Sequence, residues 1–107
     1  MYVCGPTVYD VPHLGHGRTA LTYDVIRRYL EWTGLRVTVA SNVTDIDDKI
    51  NDRAKSLQVD IKKITEETIE WFLEDMTELN SLLPNSMPRA TEYIDEMIEM
   101  ILSLIHI

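Results

Sequence analysis

Two histidines, one cysteine and a tight group of aspartates are the side chains of this 107-residue chain best suited to chemistry. His13 and His16 flank Leu14-Gly15 directly before a helical pattern. Three apart at a helix start, two imidazoles can face one point, and Gly15 lets a ligand approach the backbone. The helix that follows offers unpaired N–H groups and its positive dipole end, a setting for phosphate. Zinc binding or an ordinary surface position would account for the His-x-x-His spacing equally well. Cys4 is the only cysteine, so it forms no intrachain disulfide and is left as a buried thiol, a reactive thiol or a metal ligand. A zinc site needs three or four ligands, and His13 and His16 are the only neighbours in sequence that could join Cys4. Asp45, Asp47 and Asp48, beside Lys49, do not have the spacing of a calcium loop, and helix capping and salt bridging fit them better than magnesium. Thr44 is the better substrate contact there, with a small hydroxyl aimed into a crevice.

The elements that must position these residues read as strand, helix, strand. Tyr2-Val-Cys4 is the tail of a short strand stopped by Gly5-Pro6. Leu21, Val25, Ile26, Tyr29, Leu30 and Thr33 recur at helical spacing from about Gly15 or Gly17, with Gly34 placed to close the helix. Residues 36–42 are β-branched and alternate, which predicts a second strand. A crossover of this kind implies parallel strands with ligands beyond their carboxyl ends, so Cys4–His16 and Asn42–Lys49 should share one edge. Asp47 or Asp48 caps a helix to about Leu57 with Ile50 and Ala54 inward, and Asp60 caps a longer one to about Leu79. Residues 82–89, with Pro84 and Pro88, read as a linker turn. Thr91 caps a last helix whose buried face is Ile94, Met97, Ile98, Ile101 and Leu102. Two strands are few for a doubly wound sheet, and the open edge of strand 36–42 points to a truncated domain.

Composition narrows the classes. An apolar fraction of 45% argues for a folded chain, and no uninterrupted apolar run approaches the roughly 20 residues that span a bilayer. Neither a secretory signal nor a disulfide framework is visible, so the chain reads as cytoplasmic. Residues 1–40 carry four basic and three acidic side chains, net +1, whereas residues 41–107 carry six basic and fifteen acidic ones, net -9. A phosphate-bearing partner is tolerated only by the N-terminal part, and the acidic part reads as solvated helix faces.

The run from Tyr2 to Asp10, then Pro12-His-Leu-Gly-His-Gly-Arg18, resembles the opening of the cysteinyl-tRNA synthetases, a class I aminoacyl-tRNA synthetase family. His13-Leu14-Gly15-His16 is similar to its His-Ile-Gly-His signature, Asn42–Ile50 resembles its next block, and Glu74-Asp-Met, Pro88–Glu92 and Glu96–Ile98 resemble the helical stretch after it. The resemblance implies an α/β fold, the N-terminal part of a Rossmann-like (HUP-type) parallel-sheet nucleotide-binding domain, incomplete and followed by helices. Residues 1–101 would be partial catalytic domain, with a βαβ unit over 1–42 and helices over 47–101.

The same resemblance implies ligation of L-cysteine to tRNA(Cys) through cysteinyl-adenylate, with ATP as substrate, magnesium expected, and neither DNA nor membrane as partner. Cys4 would be a ligand of a zinc ion that holds the substrate thiolate, which discriminates –SH from –OH better than packing can. Gly5, Thr7 and Thr44 would line the amino-acid pocket, and His13, Gly15 and His16 would hold ATP. The family's Lys-Met-Ser-Lys-Ser loop, remaining zinc ligands and anticodon-binding region do not occur here, which implies a fragment inactive by itself. The cysteine ligase of mycothiol synthesis is the nearest relative family, and a non-catalytic zinc or nucleotide module is a further alternative. Leu102–Ile107 departs from the family pattern and reads as the translation of a sequencing adapter, so His106 is no ligand candidate.

Overall fold

The computed structural model describes residues 1–107. Strand β1 (Tyr2–Val3) is followed by helix α1 (Leu14–Trp32), strand β2 (Ala40–Ser41), helices α2 (Asp48–Leu57) and α3 (Ile61–Glu78), a 3-10 turn at Ala90–Tyr93 and helix α4 (Ile94–Ile105). β1 and β2 pair in parallel, with Tyr2 opposite Ala40 and Val3 opposite Ser41. The parallel pairing required by the crossover is therefore present, although β2 is shorter than residues 36–42. Backbone bonding begins at Thr38, whose carbonyl accepts from the Met1 ammonium at 2.7 Å.

Residues 82–89 are more than a linker. Ser41 N–H donates to Ser86 C=O at 3.0 Å, Val43 N–H to Pro88 C=O at 2.9 Å, and Ala90 N–H returns to Val43 C=O at 2.9 Å. Both bridges, Ala40–Ser86 and Val43–Arg89, are parallel, so this segment covers the edge of β2 that the sequence left open. Pro88 hides it from sequence reading, because a proline has no N–H to give the ladder and interrupts regular strand bonding. The Asn85 side chain closes the start, accepting from Val39 N–H at 2.8 Å.

Local signals set the helix ends. Gly34 takes φ 92° after α1, with its N–H on Glu31 C=O and the Leu35 N–H on Leu30 C=O, a Schellman close that suits glycine. Asp47 and Asp60 cap α2 and α3 by accepting from Lys49 and Lys62 N–H. The small core is Val8, Val43 and Ile50, all under 3% exposed, with Tyr9, Ile69 and Met87 against it. Ala54 and Ile64 are also buried, so α2 and α3 turn inward as their periodicity requires.

Helices α1 and α4 do not. Along α1 the apolar line is outward, Val25, Tyr29 and Trp32 being exposed, and the buried positions are Gly17 and Asp24. Asp24 accepts from Arg28 Nε at 2.7 Å and from Leu82 N–H at 3.1 Å, so a polar clasp docks this helix on the loop after α3. α4 buries no residue, and the face expected to be internal is 39–56% exposed from Ile94 to Ile101. Thr91 does not cap it either. Its N–H and hydroxyl both donate to buried Asp45, at 3.0 and 2.6 Å, and thereby anchor the 3-10 turn. The molecule is a slab, 47 × 43 × 18 Å, with 15 of its 107 residues buried, and so many large apolar side chains stay exposed. No helix is long and apolar enough to cross a membrane.

Candidate functional site

The start of α1 is closed by its own histidines. His13 is extended (φ -124°, ψ 170°) and its Nδ1 accepts from Gly15 N–H at 3.0 Å, while His16 Nδ1 accepts from His13 N–H at 3.1 Å. This is a capping box in which imidazoles replace the usual hydroxyl and carboxylate. A β-carbon on Gly15 would fall 2.8 Å from His13 Cε1, so the glycine makes room for the folded-back ring rather than for a ligand on the backbone. The expectation that helix N–H groups would be free for phosphate is corrected here, because the rings consume two of the amides at this end.

The capping has a chemical consequence. A ring nitrogen that accepts a hydrogen bond carries no proton, so each neutral imidazole here holds its proton on Nε2. The two rings lie 4.1 Å apart, tilted by 34°, so the chain presents a pair of neighbouring ring N–H donors. Burial first, and then the proximity of His13, lower the pKa of His16 below its ordinary 6.5. Phe72 of α3 contributes to that environment, its ring meeting His16 edge-on at 6.4 Å between centroids.

Beyond the strands the two exits run side by side. Thr44 N–H donates to Pro6 C=O at 3.0 Å and Val8 N–H to Thr44 C=O at 3.2 Å, with Thr7 bridged to Thr44 in parallel. Gly5 is pinned to the second exit. Its N–H donates to Asn42 Oδ1 at 3.0 Å, and a β-carbon on it would come within 1.6 Å of the Asn42 carbonyl oxygen. Any other residue at position 5 would force the exits apart.

One cavity of about 390 Å³ lies against this edge, and Cys4, Gly5, Thr7, His13, His16 and Lys49 line it. Gly15 and Thr44 are not among its walls. The Thr44 hydroxyl accepts instead from Asn42 Nδ2 at 3.2 Å, within the group that holds Gly5. Cys4 is exposed, which excludes the buried-thiol reading. Asp45 and Asp47 serve the 3-10 turn and the α2 cap, and none of Asp45, Asp47 and Asp48 enters an ion pair. Tyr9, Phe72 and Arg27 also face the cavity without having been marked as site candidates. Tyr9 stands inside the quoted N-terminal motif, and helical spacing along α3 leaves either Trp71 or Phe72 to face inward. No signal in the sequence points to Arg27.

No three histidine, cysteine, aspartate or glutamate side chains gather where they could hold a metal ion. Zinc takes three or four protein ligands, so Cys4 and its surroundings do not by themselves fit one.

Comparison with known proteins gives a consistent answer. The family model described as "tRNA synthetases class I (C) catalytic domain" matches residues 1–107. A cysteine–tRNA ligase of Ruegeria sp. (strain TM1040) is 56% identical over 107 residues, covering 98% of this chain and 23% of the relative. Those of Pyrococcus abyssi and Methanococcus vannielii are 55% and 54% identical, covering 97% and 98% of this chain and 22% of each relative. The chain thus spans less than a quarter of the length of these relatives.

Proposed function

The chain belongs to the family of class I (C) tRNA synthetase catalytic domains, and from that premise we propose that it supplies the nucleotide-facing edge of a cysteine–tRNA ligase. In this reading the carboxylate of L-cysteine attacks the α-phosphorus of ATP and displaces pyrophosphate. The resulting cysteinyl-adenylate passes its acyl group to a terminal ribose hydroxyl of tRNA(Cys), releasing AMP. The fold is the first part of a Rossmann-like sheet.

The Nε2–H groups of His13 and His16 donate to the phosphate oxygens. As donors fixed by their own caps they stabilise developing charge without reorganising. Gly15 contributes by admitting the His13 ring. Gly5 and Thr7 border the amino-acid end beside Cys4, and Thr44 acts on that end only through Asn42. Cys4 would supply one ligand to a zinc ion, whose remaining ligands would have to come from residues outside this chain. Magnesium accompanies ATP, and tRNA is held outside the acidic half, whose charge repels phosphate.

The observation that supports this reading is the convergence of Cys4, Thr7, His13 and His16 on one cavity at the exits of two parallel strands. The test is a graft. Residues 1–101 replace the corresponding segment of the Ruegeria ligase, and cysteine-dependent ATP–pyrophosphate exchange is measured. The graft is expected to exchange, and to lose at least roughly a hundredfold when His13 and His16 are both replaced by alanine. A folded graft with no exchange overturns the reading. The 107-residue chain alone is expected to show no exchange. Residues 102–107 are left out of the graft because we read them as adapter-derived, which the nucleotide sequence decides.

A further inference from the structure

We infer that Lys49 is a phosphate-binding residue of this cavity, reaching a nucleoside triphosphate with a charge that is not spent elsewhere in the fold. The inference rests on the nucleotide reading above and gives a role to a residue that lies inside the family-like block Asn42–Ile50 but was assigned none there.

Lys49 stands in the first turn of α2, one residue after Asp48, where the helix dipole favours anions and disfavours cations. Asp47 and Asp48 obey that rule and Lys49 breaks it. A residue that violates a local preference without a structural gain is the kind expected at a functional site. No carboxylate partner is visible for this ammonium. Lys49 is in none of the chain's five ion pairs, although four aspartates (Asp45, Asp47, Asp48 and Asp52) lie within four residues of it. Its backbone N–H caps on Asp47, but its Nζ sits 5.5 Å from the centroid of the Tyr9 ring. That cation–π contact turns the side chain away from the acidic turn and holds it at the wall of the cavity.

The charge inventory of the cavity then singles it out. Arg27, the other cation of the lining, is engaged by Glu31 at 3.0 Å and by Leu83 C=O at 3.0 Å. Asp24, the acid of the lining, is engaged by Arg28. The capped histidines give directed N–H donors. A triphosphate entering beside them needs a cation to offset its charge, and Lys49 is the one lining the cavity without a carboxylate partner. Tyr9 is its positioning residue.

Isothermal titration of the 107-residue chain with ATP, adenosine and L-cysteine tests this, with Lys49→Met and Lys49→Arg alongside the native chain. Lys49→Met keeps the apolar stem and removes a cation from a helix start, so circular dichroism is expected to show α2 intact. ATP affinity is expected to fall roughly tenfold in Lys49→Met, with a weaker salt dependence, and to return to within roughly threefold in Lys49→Arg. Adenosine affinity should stay within roughly twofold throughout. Unchanged ATP binding in Lys49→Met overturns the inference and leaves the nucleotide reading standing. A parallel loss of adenosine makes the role structural, and a loss confined to L-cysteine moves the charge to the amino-acid carboxylate; either result overturns it. A native chain that binds neither ATP nor adenosine overturns this inference, and the exchange assay of the graft decides the nucleotide reading separately.

Discussion

Helices α2 and α4 announce themselves in the same way and end in opposite situations. Each has apolar residues at helical spacing, and each forms a helix where that spacing places it. α2 drives Ile50 and Ala54 into the core, whereas α4 leaves Ile94, Met97, Ile98 and Ile101 facing solvent. The difference lies in what the chain puts opposite them. α2 follows directly on the strand exit and meets Val8, Val43 and α3. α4 is tethered by Asp45 through the 3-10 turn and then buries none of its residues. Periodicity sets the helix, and a partner surface sets the burial.

The contrast can be broken or sharpened by substitution. The largest effect is expected where the two strand exits touch. Gly5→Ala puts a β-carbon on the Asn42 carbonyl, backbone against backbone, and should destabilise by about 4 kcal/mol or more in urea denaturation. A Gly5→Ala chain as stable as the native one would mean that the exits are not held as described. Next comes Ile50→Ala, which empties a fully buried site and should cost about 3 kcal/mol by the same measurement.

A smaller effect belongs to the histidine cap. The pKa of His16 lies below its unfolded value of 6.5, so the unfolded chain binds more protons in the window beneath 6.5. Stability should therefore be level above that value and fall as pH drops through the folded pKa. Protonated Nδ1 cannot accept the His13 N–H, so the loss should approach one cap, about 1 kcal/mol. Thermal melts between about pH 7 and about pH 5 would show it, and His16→Gln, which can still close the box, should flatten that part of the curve. The smallest effect is on α4, where Ile98→Ala should stay within about 0.5 kcal/mol of the native chain. A loss there comparable to that of Ile50→Ala would erase the distinction between the two helices.

Much of the candidate site was legible because its residues sit where a strand ends or a helix begins. Cys4, His13 and His16 follow or precede such boundaries, and parallel pairing carried them to one edge. Thr44 was misplaced for a physical reason. Its hydroxyl serves Asn42, a contact made across two residues of irregular backbone that no period describes. Arg27 was invisible because it reaches Leu83 C=O, 56 residues away. Asp24 was invisible for a similar reason, since a buried carboxylate on a helix contradicts the apolar stripe from which helix orientation is read.

The sequence by itself determined the approximate limits of α1, α2 and α3, the Gly34 close, the caps at Asp47 and Asp60 and the parallel crossover. Each depends on backbone and side-chain preferences that act within a few residues. Only the tertiary structure decided which face of α1 turns inward, that Ser86–Arg89 covers β2, and that Asp24 is clasped by the loop after α3. Those outcomes depend on which donor, acceptor or apolar surface arrives from elsewhere in the chain, and the period of a pattern carries no information about its partner.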